Sequence, residues 1–271
     1  SSSAIRQGLV GDCSLISALS ALADHGQHFG GAALGEIIHA REDQGDGCEQ
    51  RTAASTSGEY DCRLFFNGCM RAVPVDDQVP VGSAGQVLCS GSARENELWV
   101  MLLEKAIAAV MGGSYEMRGS NPGTDLFHLT GWIPENLEIE PFRSDPLAGD
   151  ALFARTIEGL SGGRCVVCVG TSAFDDAVAC SELRAQGRME GVSASTCLVA
   201  GHAYPVLDMR QVRSHRMLRL KNPWGRIRWC GPFCPEDPIW SDDLELAHAL
   251  GHDAAGAELD DGCFWIEWGD V

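Results

Sequence analysis

The hydrophobic pattern of this chain changes period part-way along, and that change limits its fold more than any other feature. In ENELWVMLLEKAIAAVM (95–111) apolar residues recur every three to four positions, the signature of an amphipathic helix. Asn96 or a neighbour is placed to cap it and Gly112–Gly113 to end it. Residues 13–23 show the same spacing in Leu15, Ile16, Leu19, Leu22 and Ala23, with Gly26 and Gly30–Gly31 as stops. Beyond residue 150 the apolar residues come in short runs instead. RCVVCVGTS, HAYPVLDMR, HRMLRLKNPWG, RIRWCG and GCFWIEW all read as strands. Between the two patterns lies PFRSDPLAGD (141–150), with two prolines and a glycine in a polar setting, which reads as a linker. The pattern predicts an α+β fold with an α-rich first part (1–144) and a β-rich second part (145–271). Within the first part, CRLFFNG and MRAVPVDDQVPV are strand-like and meet at Asn67–Gly68, a hairpin signal. Residues 41–58 lack periodicity and read as a surface loop.

At 271 residues the chain suits one large domain or two ordinary ones. A chain of this size buries roughly three quarters of its unfolded surface, so it needs neither disulfides nor metal to fold. A net charge of −18 argues against nucleic acid and against an anionic membrane surface, since both call for clustered Lys and Arg. No apolar run reaches the roughly 18–20 residues that cross a bilayer, so membrane insertion is not expected. The 12 cysteines sit in a large chain that opens SSSAIRQG, without an apolar signal segment. They point to reduced thiols and a cytoplasmic location, and the opening reads as a domain cut from something longer. CVVC (165–168) has redox or zinc spacing, but residues three apart on a strand face opposite ways, so it reads as core packing. CGPFC (230–234) has the spacing of half a zinc site, but no second Cys/His pair stands at suitable spacing. No metal or other cofactor is expected.

RQGLVGDCSLISAL places Cys13 where a loop becomes a helix, with Gln7 six residues earlier. A helix N-terminus puts positive potential beside the sulfur and favours the thiolate, which is the nucleophile. A nucleophilic cysteine needs a base, and eight histidines are candidates. His25, His28 and His39 follow the first helix closely, and His248 and His252 lie in an acidic region. His202 differs: in GHAYPVLD it follows a glycine and opens an alternating strand, a rigid element that can project it into a cleft. Twenty residues on, Asn222 ends a β run with Trp224 beside it. Cys, His and Asn in that order suit attack on a carbonyl. The imidazole pairs with the thiol and protonates the leaving amine, and the amide oxygen orients the ring without adding charge. The Cys13 backbone N–H and the Gln7 side-chain amide are the natural donors to an oxyanion. Taken singly, Cys13 would be a buried thiol and His202 a strand-end histidine; the constellation sets them apart.

QGLVGDCSLISALSAL, GHAYPVLD and LKNPWGRIRW resemble the three active-site blocks of the calpains, cysteine proteases of the papain-like superfamily. VPVDDQVPV, NELWVMLLEKAIAAVMGGSYE, FHLTGWIPENL and GCFWIEWGD resemble calpain core segments in the same order. Ser14, LCSGSARENELWV, the GSN at Gly119 and LTGWIPE are most similar to the PalB-type, calpain-seven-like branch. The resemblance implies a papain-like two-subdomain core with a cleft between an α-rich and a β-rich subdomain. It implies Cys13 as nucleophile, His202 as base and acid, Asn222 as orienter and Gln7 as oxyanion donor. Gly201 and Gly119 would meet the substrate chain, and Trp224 would shield the His–Asn hydrogen bond. The implied activity is limited endoproteolysis of polypeptide substrates through an acyl-thioester. Membrane-remodelling (ESCRT-III) partners would be reached through other domains.

Two departures bear on calcium, which aligns the subdomains of conventional members. One calcium site needs a carboxylate shortly before Gln7, and the chain has SAIRQ there. The other needs acidic residues after NPWG, where Arg226 and Arg228 stand. A guanidinium cannot ligate calcium. Glu116 matches one calcium-site carboxylate but does not make a site alone, so calcium independence, or only weak dependence, is expected. Most calpains carry Trp directly after the nucleophile, and here the residue is Ser14, which opens that rim of the cleft. A silent calpain-like interaction domain is an alternative, against which the complete Cys, His, Asn and Gln set counts. A transglutaminase-like acyltransferase is a second; that class usually orients its histidine with Asp, and Asn222 argues for the protease.

Overall fold

The structure, a computed structural model, describes residues 2–30, 34–41, 55–94, 96–117, 119–180, 191–252 and 261–271. The chain divides into two compact units, Ser1–Glu135 and Asn136–Val271. Most of the 41–58 segment and part of the acidic stretch near the end lie outside the described residues.

The first unit starts with β1 (Ile5–Arg6) and α1 (Cys13–Phe29), whose buried face carries Leu15, Ile16, Leu19 and Leu22. Gly26 lies inside α1 and does not stop it. The helix ends at Gly30, whose φ of 69° is a left-handed conformation that glycine adopts without a Cβ penalty. His25 and His28 therefore sit in the helix rather than after it. Next come β2 (Ile38–Ala40), β3 (Glu59–Phe66) and β4 (Cys69–Asp76), an antiparallel sheet in the order β2–β3–β4. Asn67 and Gly68, at φ 52° and 78°, form the tight turn between β3 and β4, the all-positive φ pattern of a two-residue hairpin. β5 (Gly91–Ser92) pairs with β1. Helices α2 (Trp99–Val110) and α3 (Pro122–Thr130) pack against this sheet, and α3 also packs against α1. Asn96 does not cap α2. It stands at φ 65°, and Leu98 precedes the helix without a side-chain cap.

The second unit opens with α4 (Glu140–Ser144) and α5 (Pro146–Ser161), so the segment expected as a linker is helical. Its prolines fall at the start of each helix, where a missing N–H costs nothing. Asp145 caps α5, its carboxylate accepting from the Leu147 and Ala148 amides at 3.0 and 3.3 Å. Then follow β6 (Val167–Gly170), β7 (Ala177–Ala179), β8 (Gly191–Ser193), β9 (Ala203–Val212) and β10 (His215–Lys221). Helices α6 (Ile239–Asp242) and α7 (Leu244–Leu250) precede β11 (Cys263–Glu267). The main sheet runs β11–β10–β9–β6, all antiparallel. Phe153 of α5, Tyr204, Val206, Leu218, Leu220 and Phe264 build one core against it. RIRWCG is not a strand: Ile227 takes φ 59°, which breaks the extended run after NPWG. Cys165 precedes β6, so strand alternation does not separate it from Cys168; what remains is its packing close to Gly159 of α5.

Removing the α5 cap gives a direct test of the helical reading of 141–150. Asp145→Ala should cost about 1 kcal/mol in urea unfolding, whereas a loop residue would cost close to nothing.

Candidate active site

Cys13 is the first residue of α1, half-buried, with its thiol beside the helix N-terminus. No side chain caps this end, so the first-turn amides and the positive end of the helix dipole are left for the thiol and its surroundings. Asp12, the residue that could have capped, is buried instead. Its carboxyl lies beside that of Glu104, a fully buried residue on the apolar face of α2. Burial first, and then the Glu104 charge, push the Asp12 carboxyl well above the usual carboxylate range. Two facing carboxyl groups hold only acceptor oxygens while both are ionised, so their proximity favours protonation of Asp12.

Glu104 also fixes the loop that bears Gln7. Both of its carboxylate oxygens accept the Ser90 amide at 3.0 Å. The Ser90 hydroxyl accepts the Gly8 amide at 3.1 Å, and the Leu9 amide donates to the Leu88 carbonyl at 2.8 Å. Gly8 lies so close that a Cβ there would stand 2.4 Å from the Leu88 and Cys89 carbonyl oxygens, which only glycine permits. Gln7 is buried on this strapped loop, and its Nε2 donates to the Val10 carbonyl at 2.7 Å. The same side-chain amide also hydrogen-bonds the Asp12 carboxyl. Gly119 has a φ of 73°, and the following Ser120 amide donates to Ser14 Oγ at 3.2 Å, which ties that loop to the start of α1.

In the second unit the β9–β10 pairing brings residues 202 and 222 together. His202 immediately precedes β9, Asn222 immediately follows β10, and a register shift at Arg219/Leu220 lies next to them. The Asn222 side chain is fully buried. Its Nδ2 donates to the Ile227 carbonyl at 2.8 Å, which settles which end of the amide is oxygen. Oδ1 then accepts the Trp224 amide at 3.0 Å and meets His202 Nε2 at 3.0 Å. An acceptor oxygen demands a proton on Nε2, so the neutral ring holds its lone pair on Nδ1. Trp224 covers this hydrogen bond with its ring 4.3 Å from the imidazole, and Tyr204 meets the ring edge-on at 5.0 Å. The His202 amide donates to Thr171 Oγ1 at 2.9 Å, and Thr171 in turn donates to Val199 O at 2.6 Å. Gly201 stands at φ 59°, a conformation that turns the chain sharply into β9.

Gln7, Cys13 and Gly119 thus belong to the first unit, and Gly201, His202, Asn222 and Trp224 to the second. The sequence reading did not single out Glu104, Ser90, Asp125 or Thr171. Glu104 left one signal, a lone carboxylate at helical spacing from Val100, Ile107 and Ala108 on a buried face. Among the described residues no three His, Cys, Asp or Glu side chains group to hold a metal ion. Cys230 of CGPFC donates its thiol to the Ser195 carbonyl at 3.6 Å. Among those residues no helix is long and apolar enough to cross a membrane.

Asp125, buried in α3, gives a pH test of this region. Burial pushes its carboxyl up to about 6, with the Ser14 and Ser120 hydroxyls partly opposing the shift. The fold therefore favours its protonated form. That contribution is complete below the unfolded carboxylate range and is lost as pH rises through about 6. Between about pH 4 and 7, wild type should lose roughly 3 kcal/mol more unfolding free energy than Asp125→Asn. Equal pH profiles for the two proteins would contradict this.

Residues 1–271 match the family described as "Calpain family cysteine protease". The chain is 35% identical to Calpain-7 of Homo sapiens over 273 residues, which is 100% of this chain and 31% of that protein. It is 33% identical to the calpain-like protease palB/RIM13 of Aspergillus oryzae over 267 residues, 96% of this chain and 27% of the relative. It is 28% identical to the calpain-type cysteine protease DEK1 of Zea mays over 271 residues, 99% of this chain and 11% of the relative. The chain thus spans less than a third of the length of each of these relatives.

Proposed function

Because this chain belongs to the calpain family of cysteine proteases, we propose that it is an endopeptidase that cuts polypeptides through an acyl-thioester on Cys13. The observation that carries the reading is the His202–Asn222 hydrogen bond, which fixes the imidazole tautomer with its base nitrogen at Nδ1. Nδ1 takes the thiol proton, and the thiolate attacks the scissile carbonyl carbon to form a C–S bond. The oxyanion accepts hydrogen bonds from the Cys13 amide and from Gln7 Nε2, which turns from its resting partners to do so. The C–N bond then breaks as Nδ1–H protonates the leaving amine. Water, giving its proton to Nδ1, attacks the thioester carbon; the C–S bond breaks, and acid and thiol are released. Asn222 and Trp224 act by holding the ring, and Gly201 and Gly119 offer backbone to the extended substrate.

Calcium has no step in this scheme, because the donor set does not fit it. Arg226 is exposed and Arg228 pairs with Glu236 at 3.1 Å after NPWG, where hard oxygen ligands are wanted. Glu116 is an exposed carboxylate without acidic company before Gln7.

Two measurements test the reading. An epoxide or iodoacetamide probe should label Cys13 selectively, the labelling should vanish in Cys13→Ala, and His202→Ala should slow it at least tenfold. Labelling spread over the twelve cysteines and indifferent to His202 would sink the enzyme. In a calcium titration, peptide cleavage and the thermal midpoint should stay constant; strong activation at micromolar calcium would overturn calcium independence.

A further inference from the structure

Thiols that lie far apart in the sequence meet in the second unit. Cys197 sits in the turn between β8 and β9, and Cys230 lies in the segment after Trp224. The two stretches are strapped together: the Cys230 amide donates to the Thr196 carbonyl at 3.1 Å, and the Cys230 thiol to the Ser195 carbonyl at 3.6 Å. The Cys197 thiol meets that of Cys230, and Cys180 and Cys234 are near enough to act on it through charge. Cys197 and Ile227 also pack against a small core of Val192, Val199 and Trp224.

Two chemistries use neighbouring thiols, a metal site and a disulfide. A thiolate metal site takes three or four ligands, and among the described residues no three such side chains group to hold an ion. A disulfide takes two thiols, with Cα atoms roughly 4.4–6.8 Å apart. Backbones joined through one hydrogen bond run about 5 Å apart, so the Thr196–Cys230 bond brings Cys197 and Cys230 into range. The two thiols are both free and differ in access, Cys230 being exposed and Cys197 half-buried. Burial pushes the Cys197 thiol up to about 12, with its contact to Cys230 next among the causes. Cys197 is therefore slow to attack a reagent, and Cys230 meets it first.

We propose that Cys197 and Cys230 are an oxidation site, which a low-molecular-weight disulfide converts into one intrachain bridge. The Cys230 sulfur attacks the reagent RSSR and bonds to one RS, while the other RS leaves and takes the Cys230 proton. The Cys197 sulfur then attacks Cys230 in the mixed disulfide. The Cys197–Cys230 bond forms, and the second RS leaves with the Cys197 proton. Two protein thiols are oxidised, and one RSSR is reduced to two RSH. Capping Cys230 also removes its charge from beside Cys197, which lifts part of the restraint on the second attack. The bridge closes a loop that contains Gly201, His202, Asn222 and Trp224. It ties together the two stretches that pack behind Trp224, one of which supplies the Ile227 carbonyl to Asn222. The inference stands independently of the endopeptidase reading.

The test holds the full chain in reduced and oxidised glutathione at equal millimolar concentrations, traps the remaining thiols with N-ethylmaleimide and maps linked peptides by mass spectrometry. A Cys197–Cys230 link should form in at least half of the molecules, and dithiothreitol should reverse it. The bridge should raise the thermal midpoint by about 5 °C or more and slow amide exchange over 193–199 and 222–230 at least tenfold. Neither change should follow the same treatment of Cys230→Ser, an exposed substitution. Cys197→Ser should stop at a glutathione adduct on Cys230. A Cys230 adduct that persists in wild type overturns the pair, as does a link from either cysteine to Cys180 or Cys234. A Cys197–Cys230 link that forms only in unfolding urea also overturns it, since the folded chain then does not bring the two thiols together.

Discussion

A polar side chain sealed from water must find its partners within the protein, at a cost of about 1–3 kcal/mol for each group left wanting. Each half of the candidate site is organised around one such side chain. In the second unit it is Asn222, whose Nδ2 is met by the Ile227 carbonyl and whose Oδ1 is met by His202 and the Trp224 amide. Its backbone is equally engaged: its amide donates to Gly262 O, and its carbonyl accepts from Gly225. The turn after β10, the ring of His202 and the position of Trp224 are solved together. In the first unit the corresponding residue is Glu104. Its bond to Ser90 holds Gly8, and Gly8 holds the loop of Gln7. A helix that reads as ordinary apolar packing thereby fixes the placement of an amide donor several residues distant in space.

The same buried carboxyl bears on Cys13, the proposed nucleophile. An ionised Asp12 next to Cys13 would cancel the helix-terminal potential that favours a thiolate. Burial and the Glu104 charge push its carboxyl upward and so favour its neutral form. The shift thus works against negative charge next to the sulfur. Placing the carboxyl inward also leaves the first-turn amides of α1 without a competing cap.

How far the sequence discloses this depends on whether a signal is local. Asn67–Gly68 announces its hairpin because the turn itself demands positive φ. The order Cys13, His202, Asn222 is legible because the chemistry restricts the residue types, and β9–β10 pairing then joins the last two. The helices over 140–161 were hidden because proline and a capping aspartate serve a helix start as well as a loop. Gly26 misled for a similar reason: glycine inside a helix costs only about 1 kcal/mol against alanine, and packing of α1 on α3 overrides it. The partners of Glu104 and Asp125 could not be read at all. Ser90 and Ser120 are unremarkable serines until the chain folds back on them.

The abundance of thiols poses the final question, how one cysteine can act in a chain with twelve. Nucleophilicity at neutral pH requires thiolate, and burial in apolar surroundings suppresses it. Cys62, Cys89, Cys197 and Cys263 are each pushed up to about 12, with desolvation the largest cause in every case. Cys165 and Cys234 are raised by the same effect. Desolvation thus disarms six of the twelve cysteines. Cys69 and Cys230 are exposed, but Cys69 opens β4 and Cys230 lies in a non-helical segment, so neither stands at the first position of a helix. Cys13 combines partial exposure with the first position of a 17-residue helix whose N-terminus no side chain caps. On the proposed reading, selectivity among the thiols rests on two ordinary effects, desolvation and the helix dipole, acting in opposite directions at different sites.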